Sequence, residues 1–451
     1  MFLLEEPVGQ VEENYSIGRR PNGSSHKLLI TNLLAKITRN KQILWSIAAL
    51  FSTNVTSSFL GALGGLLVAH FLGPEETGLF RSFTIPLTYL TFLHLGTFDG
   101  LWRQIPFYAG KRMTDKVTWL ASAAGAWNLC ISFICSCGFI GFAFYSLWRN
   151  DSYGAFGWLS QAICCWGIFY GGYLGSTYRT LNQFVALSKI QMIQTMMNFC
   201  MVFLLPFLNF YGLCARAAFP PVLGTLFSQR NRPLKLPYHF DPQALSELIK
   251  IGLPFCFWGS LYTSIWAATE SVLMLSLGGI TGLGLFSAAV MIRDGLNTLP
   301  QAVYQVLLPR VVTNFAVEGS FRSATARIIW PTILLTSFMV LVIFIISPLL
   351  DIFVPYVIPK YVDGIPLMKI CIWFAVIQAA TLPLNTLFAS GKPWLYGRGV
   401  IFGLLVFPVA TYLLIPVLGG ILAVATGSLL GRTARTIAAY IEIASLLRHE
   451  E

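Results

Sequence analysis

The sequence is poor in charged residues, which make up 11% of its 451 positions, whereas a soluble domain usually carries about 25%. Hydrophobic residues make up 55%, more than a water-soluble fold could hide. Lipid is the alternative solvent, and only helices and closed barrels satisfy every backbone polar group there. The apolar runs are continuous over about 20 residues, the length a helix needs to cross the membrane, and lack the alternation of barrel strands. We therefore predict an all-α polytopic membrane protein.

Motifs of soluble enzymes are also missing. The sequence has no GxxxxGK[ST] phosphate loop, no HExxH and no GxSxG. Its nine cysteines fall in apolar segments without a CxxC pair or an accompanying histidine cluster. We therefore expect no enzyme activity, no cofactor and no metal site. The net charge of +11 is sorted among loops rather than clustered, so nucleic acid is not an expected partner.

Twelve apolar stretches predict about twelve transmembrane helices. They lie at about 44–72, 79–101, 117–148, 155–177, 185–207, 210–228, 250–277, 283–308, 328–352, 365–388, 398–416 and 419–447. Residues 1–26 are polar and predict a disordered tail, and residues 27–43 predict an amphipathic helix in the membrane interface. The basic segment 229–249, which contains three prolines, is interpreted as a linker between six-helix bundles at 44–228 and 250–451.

Lys and Arg residues fall mainly on one side of the predicted membrane. Of the 30 Lys and Arg residues, all but six are assigned to the side that holds the N-terminus, and this count includes Arg432 and Arg435. The exceptions are Arg81, Arg149, Arg216, Arg293, Lys360 and Lys369. By the positive-inside rule both termini are cytoplasmic and the span count is even. Arg216 and Lys369 lie near predicted span ends, where snorkelling would explain them.

The two predicted bundles share a short repeat. Leu72-Gly73 is followed by a turn and by Gly78-Leu79-Phe80, and Leu277-Gly278 is followed by a turn and by Gly284-Leu285-Phe286. Six spans per half let both halves enter the membrane from the same side. This predicts a pseudo-two-fold axis along the membrane normal, as in many transporters. GxxxG spacings such as Gly167, Gly171 and Gly175 are interpreted as helix-packing faces.

Span 8 carries the most informative polar residues. Arg293, Asn297, Gln301 and Gln305 are four positions apart and follow one helical face, with Asp294 beside Arg293. An ionisable group in a span costs about 3 kcal/mol or more, so it needs a cavity or a partner. The stripe either lines a water-filled lumen or is a neutralised Arg293–Asp294 pair among packed amides.

Span 2 and span 7 add further titratable groups. Arg81 and His94 are candidate substrate contacts, and His94 could instead be a hydrogen-bonded structural residue. Asp99 and Arg103, four apart, are a candidate gate or an interfacial ion pair. Glu270 is the only acid inside span 7, and is either an ion-coupling site together with Asp294 or a partner of Arg293.

Several segments together resemble a known family. They are Leu72-Gly73-Pro74-Glu75-Glu76-Thr77-Gly78-Leu79-Phe80, Arg232-Pro233-Leu234-Lys235, Leu248-Ile249-Lys250-Ile251-Gly252-Leu253-Pro254, Gly284-Leu285-Phe286 and Leu308-Pro309-Arg310. In order and spacing they are similar to the polysaccharide transporter family, the O-antigen and capsule flippases of the multidrug/oligosaccharidyl-lipid/polysaccharide superfamily. The resemblance implies a V of two bundles, a lumen lined by spans 1, 2, 7 and 8, and alternating access.

The resemblance also implies a function. A flippase of this family moves a polyprenyl-pyrophosphate-linked oligosaccharide from the cytoplasmic to the outer leaflet for surface polysaccharide (O-antigen, lipopolysaccharide) biosynthesis. The expected partners are this lipid, the bilayer, a polysaccharide polymerase and glycosyltransferases. We expect a monomer in the inner (plasma) membrane. The alternative is a cation-coupled multidrug antiporter of the same superfamily, although span 1 carries Asn54 and no acid.

Overall fold

The computed structural model describes residues 52–318, 321–384, 386–387 and 393–449. Within them the chain is nearly all helical, and no strand occurs in these ranges. The predicted tail 1–26 and interfacial helix 27–43 lie outside the described residues. So does the start of predicted span 1.

The helices follow one another with short connections. In the first half they are α1 (Ser52–Phe71), α2 (Pro74–Leu90), α3 (Thr97–Gly110), α4 (Thr114–Trp148), α5 (Ser152–Cys165), α6 (Gly172–Thr180), α7 (Phe184–Cys200) and α8 (Leu205–Arg230). In the second half they are α9 (Pro242–Ser260), α10 (Trp266–Glu318), α11 (Phe321–Val357), α12 (Ile365–Cys371), α13 (Phe374–Ala380), α14 (Pro393–Leu418) and α15 (Gly420–His449). Short 3₁₀ or π turns join several of them, including the π turns Trp166–Gly171 and Leu261–Ile265.

These helices form twelve membrane-length segments. Length and composition alone identify seven candidate spans among the described residues, and two of these are 47 and 63 residues long. Each of the two contains one residue with positive φ, Asn209 in α8 and Gly279 in α10, where the chain reverses. They therefore make four passes. The pairs α2–α3 and α5–α6, and helix α15, supply three more and bring the total to twelve.

Helix α2 begins earlier than the sequence predicted. Segment 73–78 was expected to be a connection, but α2 begins at Pro74. Proline suits the first helical turn because its missing N–H needs no partner there. The Glu76 carboxylate accepts the Gly73 N–H at 2.6 Å and caps the same turn. Leu-Gly-Pro-Glu-Glu is therefore a helix start.

Each half has its own apolar core. Buried side chains of α3, α4 and α6 pack together in the first half, and Trp266, Phe286 and Phe407 belong to the main cluster of the second half. The separation is incomplete, because Ala244 and Leu248 of α9 pack into the core of the first half, and Ala69 and Ile85 pack into the core of the second. The beginning of the second half is thus anchored on the first.

The two halves approach most closely at two glycine crossings. At one end of the bundle, called the turn end, Gly78 of α2 meets Gly284 of α10 so closely that a Cβ on Gly284 would overlap the Pro74 carbonyl oxygen. At the other end, called the linker end because residues 229–241 lie there, Gly252 of α9 meets Gly96, and its Cβ would overlap the Gly96 carbonyl oxygen. From Gly78, α2 continues for twelve more residues to Leu90, about 18 Å, before the 3₁₀ turn that leads to Gly96.

Side chains reinforce the contact at both ends. At the turn end, the Lys360 ammonium donates to the Phe71 carbonyl at 2.9 Å, and the Thr77 and Tyr361 hydroxyls are 2.9 Å apart. At the linker end, Trp119 Nε1 donates to the Asp241 carboxylate at 2.6 Å and the Tyr108 hydroxyl donates to Glu247 at 2.7 Å.

Candidate functional site

A buried charge cluster occupies the middle of the second half. The Glu270 side chain is 2% exposed, and its Oε1 accepts from Arg432 Nη2 at 2.9 Å and from the Ser428 hydroxyl. Arg293 Nη1 lies 3.7 Å from Glu270 Oε2. Glu270 thus has two guanidinium neighbours, one from α10 and one from α15. Of the two sequence interpretations of Glu270, this geometry corresponds to the paired one, with a second partner that was not anticipated.

Arg432 and Arg435 correct the charge assignment made from sequence. They were counted in a cytoplasmic region, but Arg432 lies twelve residues into α15, about 18 Å from the helix start and near the middle of a span. The Arg432 guanidinium lies over the rings of Tyr262, Trp266 and Phe374 at 5.0–5.4 Å. The predicted span 419–447 already contained both arginines, so their depth was a signal that the loop count overlooked.

Arg435 is buried even more completely. It is 2% exposed, its guanidinium lies 3.5 Å from the centre of the Tyr262 ring, and its Nη2 donates to the Tyr396 hydroxyl at 2.6 Å. Its Nε and Nη1 have no hydrogen-bond partner among the described residues. Cation–π contacts therefore provide much of its stabilisation.

The polar stripe of span 8 divides between two faces. Arg293 turns toward Glu270, and the buried Oδ1 of Asn297 has no hydrogen-bond partner among the described residues. Asp294 is 59% exposed and accepts from Arg293 Nε at 3.0 Å. Asp294 and Gln301 line clefts between α1 and α10. The residues of α10 that face the clefts are therefore Asp294, Thr298 and Gln301. Two of them follow the expected residues Arg293 and Asn297 by one position. The Gln305 side chain lies outside the described part.

The clefts between α1 and α10 are polar and lie toward the linker end. They measure about 390 and 460 Å³. Their lining residues include Asn54, Ser57, Ser58 and Gly61 of α1, Asp294, Thr298 and Gln301 of α10, and Arg179 of α6. Toward the turn end the same gap becomes apolar. There Ala62, Leu66, Met291 and Gly295, together with α11, line a groove of about 630 Å³. Ala62, Met291 and Gly295 belong to both regions.

Arg81 lies in a smaller cavity near the turn end. Arg81 and Arg216 both line it, together with Thr84 and Met291, and its volume is about 180 Å³. Arg216 does not snorkel as expected. Instead its Nη2 donates to the Asn198 side-chain oxygen at 2.7 Å, because Asn198 of α7 lies beside it in the same half.

Residues at the linker end are arranged differently from the sequence expectation. The Arg103 guanidinium lies 3.4 Å from the centre of the Phe255 ring and is still close enough to Asp99 for the two charges to attract each other. The α9 crossing at Gly252 brings that ring over Arg103. His94 Nδ1 accepts the Gly96 N–H at 3.1 Å and its ring stacks on Phe98 at 4.4 Å.

Three groups with ligating atoms meet at this crossing. They are His94, Asp99 and Cys256, and their ligating atoms lie within 4.8 Å of one another. The sequence did not indicate this cluster, because Cys256 joins it from the other half. Since Nδ1 of His94 accepts the Gly96 N–H, the ring proton is on Nε2, which faces Cys256 Sγ at 3.7 Å. A metal-bound histidine usually donates from its second nitrogen instead, so the contacts favour the structural role for His94.

A cavity of about 480 Å³ lies inside the first half. His94, Asp99 and Trp102 line one side, and Gln191 and Gln194 of α7 line another. The GxxxG residues interpreted as packing faces, Gly167, Gly171 and Gly175, also line this cavity.

Comparisons with known proteins place this fold. No protein-family model matches the sequence, and no curated protein matches it significantly. Solved structures do match. An inward-facing multidrug resistance MATE family transporter of the MOP superfamily aligns with a TM-score of 0.67 at 15% identity, over 89% of this chain and 99% of that one. An outward-facing MATE transporter aligns with a TM-score of 0.64 at 16% identity, over 89% and 96%.

A third solved structure is a MOP superfamily transporter from Pyrococcus furiosus, described as having a binding pocket of reverse polarity that suggests a different function. It aligns with a TM-score of 0.59 at 14% identity, over 90% of this chain and 95% of that one. The chain therefore has the two-lobed, all-helical fold of MOP superfamily transporters.

Proposed function

We propose that this protein is an alternating-access flippase for an anionic lipid-linked saccharide of the polyprenyl-pyrophosphate class. The fold supports a transporter, because similar chains have been solved in inward-facing and outward-facing forms. Closely packed glycine crossings at both ends offer two contacts that could open in alternation. The rest of the proposal depends on the chemistry of the cavities.

One observation carries the substrate class. The gap between α1 and α10 is polar toward the linker end and apolar toward the turn end, and Ala62, Met291 and Gly295 belong to both parts. A substrate with a polar head and a long hydrocarbon tail matches such a gap at both ends. With the linker end at the cytoplasmic face, the head would enter at headgroup level and the tail would stay in hydrocarbon.

The charge inside the bundle favours an anion. Arg81, Arg216, Arg293, Arg432 and Arg435 lie within the spans, and the acids Glu270 and Asp294 pair with Arg293 and Arg432. A diphosphate gains more from such cations in a region of low dielectric than it would in water. The Pyrococcus furiosus structure with reversed pocket polarity is a precedent for variation of pocket charge on this fold.

The competing function is a cation-coupled multidrug antiporter, which the MATE neighbours suggest by their descriptions. A cationic drug would meet excess positive charge here. A coupling cation at Glu270 would have to displace Arg432 and Arg293, which already neutralise that carboxylate. Asp294, at 59% exposure, is the more accessible acid and is our candidate if an ion is coupled.

Flipping in proteoliposomes tests the proposal. With undecaprenyl pyrophosphate carrying a fluorescent disaccharide, the wild-type protein should move the lipid between leaflets. Arg293→Ala should abolish flipping while the protein stays in the membrane, and Arg293→Lys should retain part. Arg398→Ala is the matched control, because Arg398 is 53% exposed and pairs with Glu442 away from the cleft. Wild-type efflux of a cationic dye without lipid flipping would favour the antiporter.

The role of Glu270 is tested in the same assay. If it only neutralises the arginines, Glu270→Gln combined with Arg432→Gln should restore part of the activity that either change removes. If it carries a coupling ion, the double variant stays inactive or loses its response to pH and Na⁺. Full activity of Glu270→Gln with an unchanged response to both would reject both roles.

A further inference from the structure

We propose that the cavity inside the first half binds the saccharide of the transported lipid, a site separate from the arginines. This inference rests on the proposed function and specifies which part of the protein recognises the sugar. The cavity measures about 480 Å³, within the ~300–1,000 Å³ range of small-molecule sites.

The glycines that line the cavity differ in what lies beside them. A Cβ on Gly167 would lie 2.5 Å from Pro221, and a Cβ on Gly171 would lie 2.7 Å from the Thr225 hydroxyl, so those two glycines allow helix contact. Gly175 differs, because a Cβ there would meet no atom within 4 Å among the described residues. It faces open space in the cavity. Helix packing therefore does not explain why position 175 is a glycine.

The polar groups of the cavity suit neutral hydroxyl groups. Gln191 and Gln194 present amides, and Ser176 and Thr225 present hydroxyls. The Gln191 side-chain oxygen is buried and has no hydrogen-bond partner among the described residues. A buried acceptor left unpaired costs roughly 1–3 kcal/mol, so a ligand that donates a hydroxyl proton would recover that cost.

An aromatic side chain completes the site. Trp102 lines the cavity and remains 51% exposed. Sugars present C–H faces as well as hydroxyls, and an indole offers a large flat apolar surface with an N–H at its edge. The Arg179 guanidinium lies 5.6 Å from the centre of the Trp102 ring and holds one side of it.

Arg179 also joins this cavity to the rest of the proposed path. It lines both the cavity and the polar cleft between α1 and α10. A molecule with its tail in the apolar groove and its phosphates in the polar cleft would therefore have its next group at the mouth of this cavity. In a lipid-linked saccharide that group is the sugar.

Binding to the full-length protein in nanodiscs tests the assignment. The probes are undecaprenyl pyrophosphate alone and the same lipid carrying glucose or N-acetylglucosamine. The wild type should bind at least one glycosylated probe roughly tenfold more tightly than the bare lipid. Gly175→Leu, which fills the cavity, should remove this gain and leave binding of the bare lipid within about twofold of the wild type.

Two further variants make the test independent of folding defects. Gly175→Ala adds one methyl to open space and should retain most of the gain, so the loss should grow with side-chain size. Gln191→Leu keeps the approximate shape, removes the acceptor and should also lose the gain. Gly141→Leu is the matched control, since a Cβ on this exposed glycine of α4 also meets no atom within 4 Å among the described residues.

The outcomes separate the two proposals. Equal wild-type affinity for bare and glycosylated lipids, or an equal loss for both in Gly175→Leu, would overturn the saccharide site and leave the flippase proposal intact. Absence of wild-type binding to the bare lipid, or binding unaffected by Arg293→Ala, would instead count against the flippase proposal.

Discussion

The two halves of the molecule differ in their polar interiors: the second contains paired charges, and the first contains an open cavity. In the second half, Glu270, Arg432 and Arg293 satisfy one another and aromatic rings cover the guanidinium groups. In the first half, a cavity of about 480 Å³ remains open and the Gln191 carbonyl oxygen is unpartnered among the described residues. A pseudo-symmetric fold thus contains one half filled by its own charges and one half with space for a ligand.

The difference predicts which substitutions lower stability. Buried charges that satisfy one another hold helices together, so their removal should lower stability in addition to any effect on transport. An open cavity contributes little to stability, so changes there should first alter binding. Substitutions in the two halves test this contrast.

The largest effect is expected from removing the acid of the buried cluster. Glu270→Ala leaves two buried guanidinium groups without their counter-charge, which should destabilise the protein by about 3–5 kcal/mol. Thermal or denaturant unfolding of the purified protein measures this. Glu442→Ala is the matched control, because the Glu442–Arg398 pair is partly exposed and such pairs contribute about 0–1 kcal/mol. Equal losses in the two variants would mean that burial of the cluster does not matter.

A smaller effect is expected at the glycine crossings. A methyl group in Gly284→Ala would overlap the Pro74 carbonyl oxygen, so the turn end must separate, at a cost of about 1–3 kcal/mol typical of overpacking. Gly252→Ala should instead separate the linker end. Spin-label distances across each end should lengthen only at the end that carries the substitution. Unchanged spin-label distances at both ends would show that the crossings accommodate the methyl group without separating.

Adding one methyl group should raise the free energy of unfolding in the first half and lower it in the second. Gly175→Ala fills open space and gains helix propensity, up to about 1 kcal/mol of stabilisation. Gly403→Ala in the second half places a Cβ 2.6 Å from the Gly431 carbonyl oxygen and should destabilise. Unfolding midpoints of the two variants, measured in one detergent, test the contrast. Destabilisation by both would indicate that the first-half cavity is closed in solution.

The smallest effect concerns the linker and pH. Hydrogen bonds from Trp119 Nε1 and from the Ala244 N–H hold the pKa of Asp241 below its ordinary value of 3.8. A depressed carboxyl pKa adds stability that is present above pH 3.8 and is lost as the pH falls through the folded-state value. Proteolysis of the linker should therefore increase below that pH.

Asp241→Asn is the comparison for the linker. It removes the titrating group but can still cap α9, so its linker should be cleaved at a rate that changes little over the same pH range. A wild-type linker cleaved equally at pH 6 and pH 3 would contradict the anchoring role of Asp241.

The candidate site was predictable only in part. The sequence left Glu270 open between an ion-coupling site and a partner of Arg293, and in the structure the two side chains lie 3.7 Å apart. It could not indicate Arg432, whose contact with Glu270 joins residues 162 positions apart. For Asp99 and Arg103 it offered a gate or an ion pair, and it could not indicate that the Arg103 guanidinium also lies over the Phe255 ring of another helix. Helical periodicity specifies neighbours on one helix, but not which helix packs alongside.

The apolar runs alone predict a helical membrane protein of about twelve spans, because runs of membrane length allow few other structures in lipid. The folded bundle, in contrast, was needed to show which glycines pack helices together and which leave a cavity. Gly167 and Gly175 look alike in the GxxxG pattern, yet Pro221 packs against the first and nothing in the described residues packs against the second. The physical reason is that a missing side chain has no consequence until another helix either enters the space or leaves it open.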